Sequence, residues 1–114
     1  ALSKYADFLQ LPVEAPNTKH SYFAYAVTVQ EGAPFTKAQL TGFLESRGLE
    51  TRPIEGSNMA IQPAMRHFNF RTDDLTNTKY IHDNGFFFGL HQGLGAEQQQ
   101  AIVSYFDEFF SKGA

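Results

Sequence analysis

The chain has 114 residues, 42% hydrophobic and 18% charged, with a net charge of −3 and no cysteine. That length fits one domain with its own core, and the composition excludes a disordered chain, a disulfide scaffold and a thiolate metal site. No basic footprint for nucleic acid or anionic lipid is visible, and no apolar run approaches the ~20 residues of a membrane span.

In chain order, residues 1–9 predict a short amphipathic helix with Leu2, Tyr5, Phe8 and Leu9 on one face. Pro12 and Pro16 then impose an extended connection, so residues 1–20 read as a connecting helix and linker and residues 21–114 as an α+β domain. Residues 21–29 alternate as a strand does, with Phe23, Tyr25, Val27 and Val29 on one side. After a turn at Gly32 and Pro34, Thr36 and Gln39 have the spacing of a capping box. They open a helix to about Arg47 that buries Leu40, Phe43 and Leu44, and Gly48 ends it. Residues 49–54 predict a second strand, closed by Pro53.

Residues 55–74 are irregular and polar, with only short helical turns expected; a connection this long is usually functional. Asn77 is placed to cap a short helix through Asp83, stopped at Asn84-Gly85. Residues 86–90 are an aromatic strand that leaves through His91 into a glycine turn. The final helix, residues 96–111, carries a stripe of Ile102, Val103, Phe106, Phe109 and Phe110, with residues 97–100 in water. The expected architecture is a small three-stranded sheet with helices packed on one face.

The polar groups available for chemistry are His20, His67, His82, His91, Arg52, Arg66, Arg71, Asn58 and Glu55. The histidines are scattered, so no metal site is expected, and no nucleophile-elbow, P-loop or dinucleotide glycine pattern occurs. His82 reads as a solvated surface residue and His67 as structural. Arg52, on a strand beside a long polar loop, is suited to an anionic oxygen, although an ordinary surface ion pair is the commoner use of such an arginine. His91, at a strand exit, places an imidazole at a sheet edge, where sites are often built; a core strand with a polar exit is the plainer alternative.

Five segments in one order carry a resemblance: Ser21-Tyr-Phe, Gly48-Leu-Glu-Thr-Arg-Pro-Ile54, Gly56-Ser-Asn58 with Gln62-Pro-Ala64, Asp74-Leu-Thr-Asn-Thr78, and Gly85-Phe-Phe-Phe-Gly-Leu-His-Gln-Gly-Leu94. Together they resemble the C-terminal small domain of the DegT/DnrJ/EryC1/StrS family of nucleotide-sugar aminotransferases, closest to its sugar 3-dehydrase branch. The resemblance implies a fold-type-I enzyme of deoxysugar and lipopolysaccharide biosynthesis. It would use pyridoxal or pyridoxamine phosphate (PLP or PMP) for 3-deoxygenation of a CDP-hexulose type of substrate. The implied cofactor sits mainly in an N-terminal large domain, with its Schiff-base lysine or, in dehydrases, a histidine. None of the five lysines, Lys4, Lys19, Lys37, Lys79 and Lys112, lies in such a context, so the chain alone is expected to be inactive and to hold no cofactor.

The same resemblance implies a homodimer, a nucleotide-sugar substrate, an iron–sulfur reductase partner in the dehydrase case, and a cytoplasmic location. By motif, His91 matches the histidine at the active-site edge, and Arg52 and Asn58 the strand and loop facing the substrate cleft, with Glu55 beside them. Glu55, Ile61 and Gln92 depart from the aromatic, arginine and proline often found there, which leaves the sugar open. A start without methionine, inside a helical stretch, leads us to expect a piece of a longer protein. The readings kept beside the dehydrase are an aminotransferase of the same family and a free-standing module that binds a small ligand. An RNA-binding aromatic sheet is opposed by the acidic balance of the chain.

Overall fold

Thr36 and Gln39 close the start of the first long helix as their spacing predicts. The Thr36 hydroxyl accepts from the Gln39 amide at 3.3 Å, and the Gln39 side chain accepts from the Thr36 amide at 2.8 Å. Lys37–Ser46 (α1) runs from that cap to Gly48, whose φ of +87° provides the left-handed turn that a side chain would oppose. The computed structural model describes residues 1–113, and within them the chain folds as an antiparallel sheet with helices.

The sheet comprises Leu9–Gln10 (β1), Ala24–Val29 (β2), Thr51–Pro53 (β3) and Gly85–Gly89 (β4), in the order β1-β2-β4-β3, every pair antiparallel. The remaining helices are Thr76–Asn84 (α2), which runs directly into β4, and Ala96–Ser111 (α3). The core lies on one face of the sheet. Val27 and Val29 of β2 and Phe86 and Phe88 of β4 meet Leu40 and Leu44 of α1 and Phe106 of α3, with Leu2, Leu9 and Phe35 completing it. Each such side chain contributes about 1.5–3 kcal/mol by leaving water, and this burial drives the α+β layering.

Five details differ from the sequence reading. The sheet has four strands, not three. Residues 1–9 do not form one helix: a single 3-10 turn, Leu2–Tyr5, is followed by β1, where Leu9 pairs with Val29 and is fully buried. Pairing supplies the backbone partners that a helix too short to be stable alone would lack.

Phe23 does not share the face of Tyr25. Tyr22 has a φ of +34°, the strand begins only at Ala24, and Phe23 is 78% exposed on the open face with its ring 6.4 Å from Phe87. Tyr22 and Phe23 lie outside the regular strand, so the two-residue period that starts at Ala24 does not govern Phe23. The start of α2 is not capped by Asn77. Asp74 instead accepts from the Thr76 amide at 3.0 Å and the Thr76 hydroxyl at 2.6 Å. Finally, β3 is limited to three residues. Among the described residues no helix is long and apolar enough to cross a membrane.

Candidate functional site

Where β4 ends, the chain turns through residues 91–95 into α3, and a cavity opens beside that turn. It encloses about 630 Å³ and is lined by Ser21, Tyr22, Phe23, Leu90, His91, Gln92, Leu94 and Gln99. Three elements build it: the entry to β2, the exit of β4 and the first turn of α3. The Leu90 amide, donating to the Phe23 carbonyl at 3.3 Å, fastens the first two together.

His91 is exposed at the rim, and its Nδ1 accepts the Gly93 amide at 3.0 Å. A Cβ on residue 93 would lie 2.9 Å from the imidazole, so glycine is what lets the ring fold back over the turn. An imidazole accepting at Nδ1 carries its proton, when neutral, on Nε2. His91 therefore offers one N–H donor beyond the turn, alongside the Ser21 hydroxyl and the Gln92 and Gln99 amides. No lining residue is charged. The cleft suits an uncharged group rich in acceptors, set against the aromatic rings of Tyr22 and Phe23.

Arg52, Asn58 and Glu55 do not join His91. Arg52 pairs with Phe87, and the chain leaves β3 at Pro53 opposite Phe86, the end of β4 away from His91. His91 lies five residues beyond Phe86, just past the far end of β4, roughly 15 Å away. The exposed Arg52 guanidinium pairs with Glu50 and borders a small groove of about 210 Å³ with Lys37, Thr41, Glu45 and Thr51.

Asn58 is 4% exposed, a buried polar residue whose Oδ1 accepts the Ala60 amide at 3.1 Å and so starts the 3-10 turn Met59–Ile61. It also borders a cavity of about 440 Å³ with Met59, Met65, Phe70, Arg71 and Thr78. Glu55 is exposed with a φ of +43° and lines none of these spaces. His82 is half-buried rather than solvated, its Nδ1 lying 3.4 Å from the Asn58 amide. His67 ends the 3-10 turn Pro63–His67 in an exposed position.

The cleft residues Tyr22, Leu94 and Gln99 escaped the site reading because the turns that gather them are far apart in sequence. The nearest signal was the Ser21-Tyr-Phe segment itself. Among the described residues no group of three His, Cys, Asp or Glu side chains could hold a metal ion.

The fold and its cleft define the class first: a small α+β domain whose sheet is covered by helices on one face, with an uncharged cleft at a strand exit. The chain belongs to the DegT/DnrJ/EryC1/StrS aminotransferase family, whose signature matches residues 1–107. It is 36% identical over 107 residues to the dTDP-4-dehydro-2,6-dideoxy-D-glucose 3-dehydratase of Saccharopolyspora spinosa, covering 93% of this chain and 23% of that protein. It is 31% identical over 110 residues to the lipopolysaccharide biosynthesis protein RfbH of Salmonella typhimurium, covering 96% of this chain and 25% of that protein.

In structure it resembles the E. coli GDP-4-keto-6-deoxy-D-mannose-3-dehydratase with bound hydrated PLP, with a TM-score of 0.72 and 26% identity over 90% of this chain and 27% of the other. The aminotransferase of Psychrobacter cryohalolentis shares the fold at a TM-score of 0.83 and 17% identity, over 97% of this chain and 31% of the other. The chain thus spans about a quarter of the length of the curated relatives it matches.

The residues present do not by themselves form a PLP site. The His91 cleft has neither a lysine for an imine nor a cation for a phosphate. Lys4 pairs with Asp107, Lys79 with Asp83 and Lys112 with Glu108. The Lys37 ammonium donates to the His82 carbonyl at 2.6 Å, and burial pushes its pKa down, partly offset by Asp83.

Proposed function

We propose that this chain is the C-terminal small domain of a PLP- or PMP-dependent nucleotide-sugar 3-dehydratase of deoxysugar and lipopolysaccharide biosynthesis. The observation that carries the reading is identity above 30% across more than nine-tenths of the chain to a sugar 3-dehydratase and to a lipopolysaccharide biosynthesis protein. The likeness to the Psychrobacter aminotransferase, at 17% identity, concerns the fold alone.

In this reading the cofactor's electron-sink chemistry is supplied by a large domain outside this chain, and the small domain contributes the wall of the active site. His91 would offer its Nε2–H as a hydrogen-bond donor that orients the sugar or cofactor, without carrying the main proton transfer. Arg52, Asn58 and Glu55 lie on the strand and loop that the family resemblance turns toward the substrate cleft. Because they stand at the other end of the sheet from His91, they serve a separate part of that cleft. The complete enzyme is a cytoplasmic homodimer, and a dehydratase that removes the 3-hydroxyl reductively draws its electrons from an iron–sulfur reductase.

The test is product analysis with the complete polypeptide. The purified enzyme is incubated with PMP, a 4-keto-6-deoxy nucleotide sugar and a reductant, and the product is read by mass spectrometry. Loss of the 3-hydroxyl is the expected result. An amino sugar formed with glutamate as donor would assign the chain to the aminotransferases instead. The relatives named above act on dTDP- and GDP-sugars, so both nucleotides, and CDP, belong in the assay.

A further inference from the structure

The cleft has two rims, and each is shaped by a histidine in the same way. On one side His91 accepts the amide two residues ahead, that of Gly93, at 3.0 Å. On the other, His20 Nδ1 accepts the amide two residues ahead, that of Tyr22, at 2.8 Å, with the two rings 4.2 Å apart. The residues donating these bonds differ. Gly93 bends without strain, whereas Tyr22 is a bulky residue at a φ of +34°, a conformation that persists only where its surroundings enforce it. His20 is the residue in place to enforce it. The Glu14 carboxylate in turn accepts the His20 amide at 2.8 Å, which anchors the turn from behind.

The consequence reaches the cleft. The left-handed turn sets the direction in which the Tyr22 side chain leaves the strand entry, and its ring stacks towards Tyr25 with centroids 6.2 Å apart, while Phe23 lies on the open face against Phe87. Tyr22 and Phe23 both line the cleft, and their placement gives it its aromatic wall.

We propose that His20 is a positioning residue of the cleft, whose Nδ1 holds the Tyr22 backbone in its left-handed turn and thereby sets the Tyr22 wall for the ligand. The function of that wall rests on the dehydratase reading, whereas the bond and the turn do not. The bond needs a neutral imidazole with its proton on Nε2, and it is lost with any side chain lacking an acceptor at that place. An asparagine can replace it, since its side-chain oxygen makes the same contact to the amide two residues ahead.

The experiment has two readouts. In the chain itself at pH 8, long-range proton–nitrogen NMR should show His20 with its proton on Nε2. Exchange of the Tyr22 amide should be about tenfold faster or more in His20→Ala than in wild type, and close to wild type in His20→Asn. His20→Phe keeps a ring against Tyr22 while removing the acceptor, so it gives the same reading if the alanine variant does not fold. In the complete enzyme, His20→Ala should raise KM for the sugar by about tenfold with kcat little changed, and His20→Asn should restore it. A His20 proton on Nδ1, or a Tyr22 amide equally protected in the alanine and phenylalanine variants, overturns the proposal. Faster exchange with unchanged KM would keep the turn but remove its role in binding. Wild-type enzyme inactive on every nucleotide sugar would instead count against the dehydratase reading and leave the NMR result standing.

Discussion

Tyr5 stacks on Phe110 nearly face to face, ring centroids 3.9 Å apart and planes 8° apart, and its hydroxyl donates to Asp107 one helical turn away at 2.6 Å. One side chain thereby joins the first turn of the chain to the last helix. Lys4 adds an ion pair to the same carboxylate at 2.8 Å. The Lys4 ammonium and then the Tyr5 hydroxyl hold the Asp107 carboxyl below the usual carboxylate range.

A depressed folded-state value has a definite sign. The contribution of Asp107 is present above the ordinary carboxylate value of about 4, and it is lost as the pH falls through the lowered value. The difference in Tm between wild type and Asp107→Asn should therefore be largest near neutrality and close as the pH drops towards about 2. A gap that stays constant across the titration would assign the effect to packing rather than to the carboxylate.

Phe106 is 0% exposed and packs against Phe88 at a centroid distance of 6.1 Å. Phe106→Ala should cost roughly 3–5 kcal/mol in a urea melt. A loss below about 1 kcal/mol would contradict its place in the core. Phe110, four residues on, is only half-buried, and its truncation should cost less.

Two glycines make a matched pair. A Cβ at Gly85 would meet the Ile81 carbonyl oxygen at 2.6 Å and Ile54 Cδ1 at 2.8 Å, while one at Gly42 in α1 would meet nothing within 4 Å. Gly85→Ala should destabilise by about 1–3 kcal/mol because backbone cannot move aside. Gly42→Ala should stabilise by about 0.5–1 kcal/mol through helix propensity. Thermal melts of the two variants moving in the same direction would refute the packing argument.

For His91 the informative comparison is between kinetics and stability. In the complete enzyme His91→Asn should lower kcat/KM by about ten- to a hundredfold with little change in Tm, because an exposed imidazole orients the ligand while the acid–base group stays. Unchanged kinetics with a lower Tm would make it a packing residue. Collapse to background would give it the main proton transfer.

Much of this fold was legible because its signals are local. The Thr36–Gln39 box, the Gly48 stop and the stripe of α3 each involve residues within one or two turns. β1 was not legible, since two residues carry no period and Leu9 becomes a strand only by meeting Val29, distant in sequence. The reversal of Phe23 was hidden for a different reason. Alternation assumes an unbroken pleat, whereas the regular strand begins only at Ala24 and leaves Phe23 outside it. Likewise the Asp74 carboxylate reached the start of α2, where Asn77 was expected to act. His91 was singled out by its strand exit and its motif, and it lines the cleft at the end of β4. The separation of Arg52 and Asn58 from it follows from strand direction, which the pattern of residues leaves open.

The two outermost strands are brief, and the chain protects both. β1 has two residues and is followed by Leu11 and Pro12; β3 has three and ends in Pro53, which lacks an N–H. Margins this short and proline-marked offer little template for a further strand, so the sheet resists growth by edge pairing and the fibrous aggregation that follows from it. Any association of this domain must then use a face or a loop, where side chains rather than backbone amides select the neighbour.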